Sequence, residues 1–188
     1  GETRDISTTN NIIAGTSQTF TKVEIGSNIE LVYSIAQLSS GRVLIGTGNN
    51  TGDGDVYYSD DNGLTFTKVE IGSSIEEVLS IDQLSSGRVL IGTGLSTDDG
   101  DVYYSDDNGL TFTKVEIGSD IEIVYSITQL SSGRVLIGTG FNTGDGDIYY
   151  SDDNGLTFTK VEIGSNIEFV FPITQLSSGR VLIGTGNS

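Results

Sequence analysis

The chain has no Cys, no His, no Met, no Trp and a single Pro among its 188 residues. Without Cys there are no disulfides, zinc–thiolate sites or thiol nucleophiles, and without His the commonest general base and metal ligand is missing. Most enzyme mechanisms lose a needed part. Basic residues are scarce as well, nine Lys and Arg against 26 Asp and Glu, for a net charge of −17. Nucleic-acid binding releases counterions through Lys and Arg contacts to phosphate, so this balance argues against nucleic acid, and it argues against anionic membranes for the same reason. No apolar run approaches membrane-spanning length. The lack of an initiator Met points to a start at Gly1 left by processing or cloning, and the acidic, Cys-free composition is compatible with an extracellular location.

What the chain does have is glycine, 26 residues of it, and repetition. The octapeptide Ser-Asp-Asp-Asn-Gly-Leu-Thr-Phe occurs at Ser59–Phe66, Ser105–Phe112 and Ser151–Phe158, each 46 residues after the last. Aligned on itself, the chain divides into units 19–64, 65–110 and 111–156 and a shorter fourth unit, 157–188, preceded by a divergent segment, 1–18. The first two full units differ at seven of 46 positions and the second and third at eight, so the repeat arose by recent amplification or deliberate construction. A period of this length means a stack or ring of small units.

Within a unit, Arg88–Gly94 is an apolar run between glycines, the pattern of a strand buried on both faces. Val78–Leu84 reads as a strand joined to it by the Ser85–Arg88 turn. Asp101–Ser105 and Thr111–Ile117 read as two more strands. Four short antiparallel strands in 46 residues predict one blade-like sheet per unit. In the outermost strand the charged Lys68 and Glu70 fit the protection of an exposed edge.

The pattern Ser-x-Asp-x-Gly-x-Thr-aromatic resembles the Asp-box, or BNR repeat. The resemblance implies an all-β β-propeller of four-stranded antiparallel blades, with the motif as a structural device on the side away from the ligand face. Asp61, Asp107 and Asp153 would then accept hydrogen bonds from the turn, Gly63, Gly109 and Gly155 would take its positive φ, and Phe66, Phe112 and Phe158 would anchor the hairpin. The fourth unit stops two strands into a blade, and the chain opens with a segment that ends in an outermost strand, Thr19–Ile25. The sequence therefore predicts four blades per chain, one of them shared by the two terminal segments, with residues around Asn10–Ala14 as its third strand. A monomeric ring is favoured, and a ring of eight blades closed by two chains uses the same interfaces. In the divergent segment Ile13–Gln18 replaces the motif.

The units differ mainly at Asn28/Ser74/Asp120/Asn166, Leu31/Glu77/Ile123/Phe169, Tyr33/Leu79/Tyr125/Phe171, Ala36/Asp82/Thr128/Thr174 and Asn49/Leu95/Phe141/Asn187. These positions are expected on one loop face, opposite the Asp-box turns. Tyr33, Leu79, Tyr125, Phe171, Glu77, Asp82, Asn49 and Phe141 are the candidate ligand-binding residues, with a glycan as the first candidate partner, because aromatic rings stack on sugar C–H faces and amides and carboxylates bond hydroxyls. A scaffold without a specific ligand is the alternative. Asp53, Asp55, Asp99, Asp101, Asp145 and Asp147 gather carboxylates in Gly-rich loops that suit Ca²⁺, although they lack the spacing of an EF-hand.

Propeller families with this motif include sialidases, which hold a carboxylate substrate with an arginine cluster. Here Arg42, Arg88, Arg134 and Arg180 occupy one repeat position in a turn expected on the opposite face, so no such cluster is predicted and no catalytic residue is assigned. Glu77 and Asp82 are the one carboxylate pair unique to a single unit on the candidate face, and glycosidase chemistry would require them at a defined separation.

Overall fold

A computed structural model describes residues 12–14, 21–26, 31–48, 54–72, 77–94, 100–118, 123–140 and 146–187. The described residues form β-strands and no helix. Two strands, β1 (Ile12–Ala14) and β2 (Thr21–Val23), make a first short sheet. Three four-stranded sheets follow: β3 (Leu31–Gln37), β4 (Val43–Gly48), β5 (Val56–Ser59) and β6 (Thr67–Val69); β7 (Val78–Gln83), β8 (Val89–Thr93), β9 (Val102–Ser105) and β10 (Thr113–Val115); β11 (Val124–Gln129), β12 (Val135–Thr139), β13 (Ile148–Ser151) and β14 (Thr159–Val161). A two-stranded sheet of β15 (Phe169–Gln175) and β16 (Val181–Gly186) ends the chain. Every pairing is antiparallel between consecutive strands, so each unit is a meander, as the pattern of short apolar runs and turns predicts.

The apolar run of each unit is the second strand, and all five residues of β8 and of β12 are buried. The outermost strand is shorter than its sequence pattern suggests. Thr111 and Phe112 precede β10 because the Thr111 N–H and hydroxyl are bound to Asp107 instead of to a ladder partner.

Sheets pack face to face through apolar clusters. One gathers Leu44, Val56 and Val69 of the first full blade with Val78, Val89 and Ile91 of the second, and another repeats this between the second and third. Leu136 and Ile148 meet Val170 and Ile173 at the last junction, and Ile25 meets Ile45 and Tyr57 at the first. At about 25 cal/mol per Å² of apolar surface buried, these junctions are the main source of stability. Glycine sets their closeness: a Cβ on Gly92 would lie 2.6 Å from Val124 Cγ1 and 2.9 Å from Val124 O in the next blade, and Gly46 and Gly138 are equally tight.

The two terminal sheets are the two halves of a blade. β1–β2 correspond to the outer pair and β15–β16 to the inner pair, and among the described residues β16 is not hydrogen-bonded to β1. Ile12–Ala14 supplies the third strand of the N-terminal half, with Ala14 opposite Thr21. In the first full blade the corresponding pair is Tyr58 opposite Thr67. The connection is therefore two residues shorter than an Asp-box turn, a direct consequence of the lost motif. The ends are also less covered: Leu182 is 46% exposed, whereas Leu44 and Leu90 at the same repeat position are fully buried.

Gly92→Ala is expected to destabilise by about 1–3 kcal/mol, the usual cost of overpacking, in chemical denaturation. Gly87, whose added Cβ would meet nothing, marks the contrast between crowding and the strain of its positive φ alone.

Candidate functional site

The two ends of each blade carry different chemistry. At one end, the turn between the first and second strands meets the Asp-box turn. In the box, Asp61 Oδ1 accepts from the N–H groups of Leu64 and Thr65 and from the Ser59 hydroxyl, and Oδ2 accepts from the Thr65 hydroxyl at 2.6 Å. Asn62 and Gly63 adopt φ of 60° and 81°, a left-handed pair that Asn and Gly tolerate best. The Thr65 and Ser59 bonds hold the Asp61 carboxyl well below the usual range. Asp107 and Asp153, although burial pushes them upward, are held at about 2 by Thr111 and Ser105 and by Thr157 and Ser151. Phe66, Phe112 and Phe158 are half-buried against the blade junctions.

The repeated arginine completes this end. Arg42 Nε and Nη2 donate to the two oxygens of Asp60 at 2.7 and 2.8 Å, its guanidinium lies 4.5 Å from the Tyr58 ring centroid, and Nη1 donates to the Asn108 carbonyl of the next blade. Arg88 repeats all three contacts, with Asp106, Tyr104 and Asn154. Arg134 binds Asp152 and covers Tyr150. The sequence shows the arginine at fixed phase but not its function, because its partners lie 18 and 66 residues away.

At the other end, most of the predicted loop face falls outside the described residues, including Asn49, Phe141, Asp53, Asp99 and Asp145. Tyr33, Leu79, Tyr125 and Phe171 are described, and each sits at a register shift of the innermost strand, between Val32 and Ser34, Val78 and Ser80, Val124 and Ser126, and Val170 and Ile173. A β-bulge re-aims a side chain without ending the ladder. Here it brings the variable residue of one blade onto the start of the next blade's inner strand. The Tyr33 hydroxyl donates to Glu77 Oε1, a contact with a residue that is itself buried. Two repeats on in each partner, Tyr125 lies edge-on to Phe169, with centroids 5.9 Å apart, and 4.7 Å from Phe171, which stacks on Phe169 at 5.3 Å. Phe169 thus belongs with the aromatic group. Its sequence signal was its place among the positions where the units differ.

Asp82 does not lie on that face. Val78 pairs with Thr93 at the loop end of β7, while Asp82 pairs with Leu90 next to the turn that precedes Arg88. Five residues of strand, roughly 16 Å at 3.3 Å per residue, separate it from Glu77. The two carboxylates also turn to opposite neighbours, Glu77 to Tyr33 of the preceding blade and Asp82 to the Gln129 N–H of the following one. The expectation that nearly all variable positions share one face therefore fails at this position, because a strand that spans the blade carries residues to both ends. Burial raises the Asp82 carboxyl above its ordinary value, opposed by the N–H groups of Gln129 and Gln83.

Of the candidate cation ligands, Asp55, Asp101 and Asp147 are each bound by a lysine from the outermost strand, Lys68, Lys114 and Lys160, at 2.8, 2.8 and 2.6 Å. Their backbone carbonyls accept from Thr47, Thr93 and Thr139, which pin the base of each loop. A cation at these aspartates would compete with the ammonium groups. Among the described residues no three His, Cys, Asp or Glu side chains are arranged to hold a metal.

Two measurements follow from these carboxyls. Asp107→Ala removes the acceptor of four hydrogen bonds and is expected to cost about 2–3 kcal/mol at pH 7. Because the folded carboxyl titrates at about 2, below the unfolded value, that stability is present above pH of about 4 and is lost as the pH falls towards 2; thermal melts across that range read it. Asp82→Asn has the opposite sign. The folded carboxyl is raised, so its ionisation at neutral pH opposes folding, and the variant is expected to melt higher at pH 7, with the gain vanishing below the ordinary Asp range.

Comparison with known proteins gives the same picture. The sequence profile of the BNR/Asp-box repeat matches residues 57–68, 103–114 and 149–160. No curated protein sequence matches the chain. Among solved structures, a protein of unknown function from Dyadobacter fermentans is similar over 99% of this chain and 67% of its own, at 18% identity and a TM-score of 0.69. The extracellular domain of a one-component system from B. thetaiotaomicron is similar over 94% of this chain, at 17% identity and a TM-score of 0.71. A sialidase from Streptococcus pneumoniae matches 88% of this chain, at 15% identity and a TM-score of 0.59. The chain spans about a quarter of the second protein and 30% of the third. With three copies of the motif, each closing the outer hairpin of a four-stranded antiparallel blade, the chain carries BNR/Asp-box repeats on a β-propeller fold.

Proposed function

We propose that the protein is a non-enzymatic recognition module that binds carbohydrate on the loop face, with the bulge aromatics as its stacking surface. The observation that carries this reading is the group of Tyr125, Phe169 and Phe171, in which Phe171 remains 44% exposed although its neighbours are packed. The exposed Phe171 and, two blade junctions away at the same end of the blades, the hydroxyl–carboxylate pair of Tyr33 and Glu77 supply the two kinds of contact that a sugar uses, a flat apolar face and a polar edge. Similarity to the sialidase supports a saccharide as the ligand class.

The absence of turnover is part of the proposal. It is supported by the direction of the carboxylates, since Glu77 and Asp82 engage opposite neighbours instead of facing one another across a cleft, as glycosidase chemistry requires. It is also supported by the arginines: Arg42, Arg88 and Arg134 are committed to aspartates at the other end of the blades.

A glycan array followed by titration calorimetry tests this. Binding of at least one saccharide is expected, weakened about tenfold by Phe171→Ala, in line with the 0.5–1.5 kcal/mol that an aromatic pair contributes. Absence of binding to any saccharide would remove the reading in favour of a scaffold, and release of reducing sugar would replace it with catalysis.

A further inference from the structure

Each blade junction uses one set of contacts, and the ends of the chain hold the unmatched halves of that set. Leu44 fills a socket at Gly109 and Leu90 a socket at Gly155, where an added Cβ would lie 2.8 Å from the leucine. Leu182 is the exposed leucine of the series, and Gly63 is the open socket, with Phe66 Cζ at 3.9 Å as its nearest neighbour. The N–H groups of Ser39, Ser85 and Ser131 donate to the side-chain oxygens of Gln83, Gln129 and Gln175 in the next blade. Among the described residues, Ser177 and Gln37 are the members of this series without their counterpart. Arg42 and Arg88 reach the carbonyls of Asn108 and Asn154; Asn62 is left over among the described residues, as are Arg134 and Arg180, and Arg180 is the one whose repeat position would meet Asn62. Bridges Gly48–Glu77, Gly94–Ile123 and Gly140–Phe169 leave Gly186 and Leu31, the latter 48% exposed.

These halves belong to the first full blade and to the last sheet of the chain. The junctions between them are closely packed, and a Cβ added at Gly46, Gly92 or Gly138 would lie under 3 Å from the next blade, so each junction repeats one set of contacts. In the single chain β16 pairs with β15 alone among the described residues, so the junction stays unmade at both ends, and a second copy can supply it without any new kind of contact. We propose that a second copy of this chain covers both ends, β16 of each protomer pairing with β1 of the other, so that two chains close a ring of eight blades. Two complete sets of the unmatched contacts are formed, one at each seam. Eight lies within the usual four to eight blades; three chains would give twelve. Each seam joins unlike ends, and the two seams are related by the two-fold axis of the ring.

The register of the seam follows from the blades. Leu44 pairs with Tyr58 and Tyr58 with Thr67; Thr21, at the repeat position of Thr67, pairs with Ala14. Leu182 of one protomer therefore sits opposite Ala14 of the other, at a Cα separation of about 4.5–5.5 Å, which a disulfide spans. Because the chain has no Cys, Ala14→Cys with Leu182→Cys introduces the sole thiols. Light scattering on the unaltered chain is expected to give twice 19.9 kDa, and oxidation of the double variant is expected to give a covalent dimer. A particle of one chain, with a disulfide formed within that chain, would overturn the proposal in favour of self-closure. A particle of three or more chains, or a dimer whose introduced cysteines do not link, would overturn it as well.

Discussion

The structure depends on burial of one sheet face against the next. A single unit of this repeat is four short strands with apolar residues on both sides, and alone it has nowhere to put them. Val56, Val78, Val89 and Val102 are fully buried because each faces a neighbouring copy, and the glycine in the second strand lets the next backbone approach within contact of its own. Hydrogen bonds between blades then fix the offset. The serine–glutamine and arginine–asparagine links are polar and partly exposed, so their worth lies in setting geometry more than in net stability. Sequence repetition and structural repetition are one constraint seen twice: identical units can share an interface only if each offers both halves of it.

Much of this could be read from the chain itself. Val-Leu-Ile-Gly-Thr identifies the buried second strand because a continuous apolar run between glycines has few other homes. Ser-Asp-Asp-Asn-Gly-Leu-Thr encodes its turn through local chemistry, a short acceptor, two residues that tolerate positive φ and a hydroxyl to close the loop. Long-range matters were harder. Nothing in the sequence around Arg42 announces Asp60, Tyr58 and Asn108 as partners, since fixed phase gives no distance. The bulge at Tyr33 was hidden because alternation is disturbed by one residue only, and the unit-to-unit variation that marks it has several explanations. Asp82 escapes a rule that assigns variation to loops, because an inner strand crosses the blade and carries variable residues at both of its ends.

The blade divides its tasks by end. At the Asp-box end the turn residues are the same in every full copy, and each one is bound: aspartate to its own turn, arginine to a second aspartate and a ring, and in the first two full blades to the next blade as well. At the loop end the corresponding contact is made by a tyrosine that reaches the neighbouring strand and finds a carboxylate in one case and an aromatic ring in another. The same backbone thus supports different chemistry at equivalent places. The lysine–aspartate pairs at the loop bases keep the acidic segments anchored, so variation above them need not loosen the sheet.

The bulge on the innermost strand has one more consequence. Because the extra residue stands outside the ladder, its side chain can be exchanged without altering which strands pair or how far apart the blades sit. Each unit therefore presents a replaceable letter on a fixed page, and a handful of units can spell many different surfaces while the scaffold beneath them is copied unchanged.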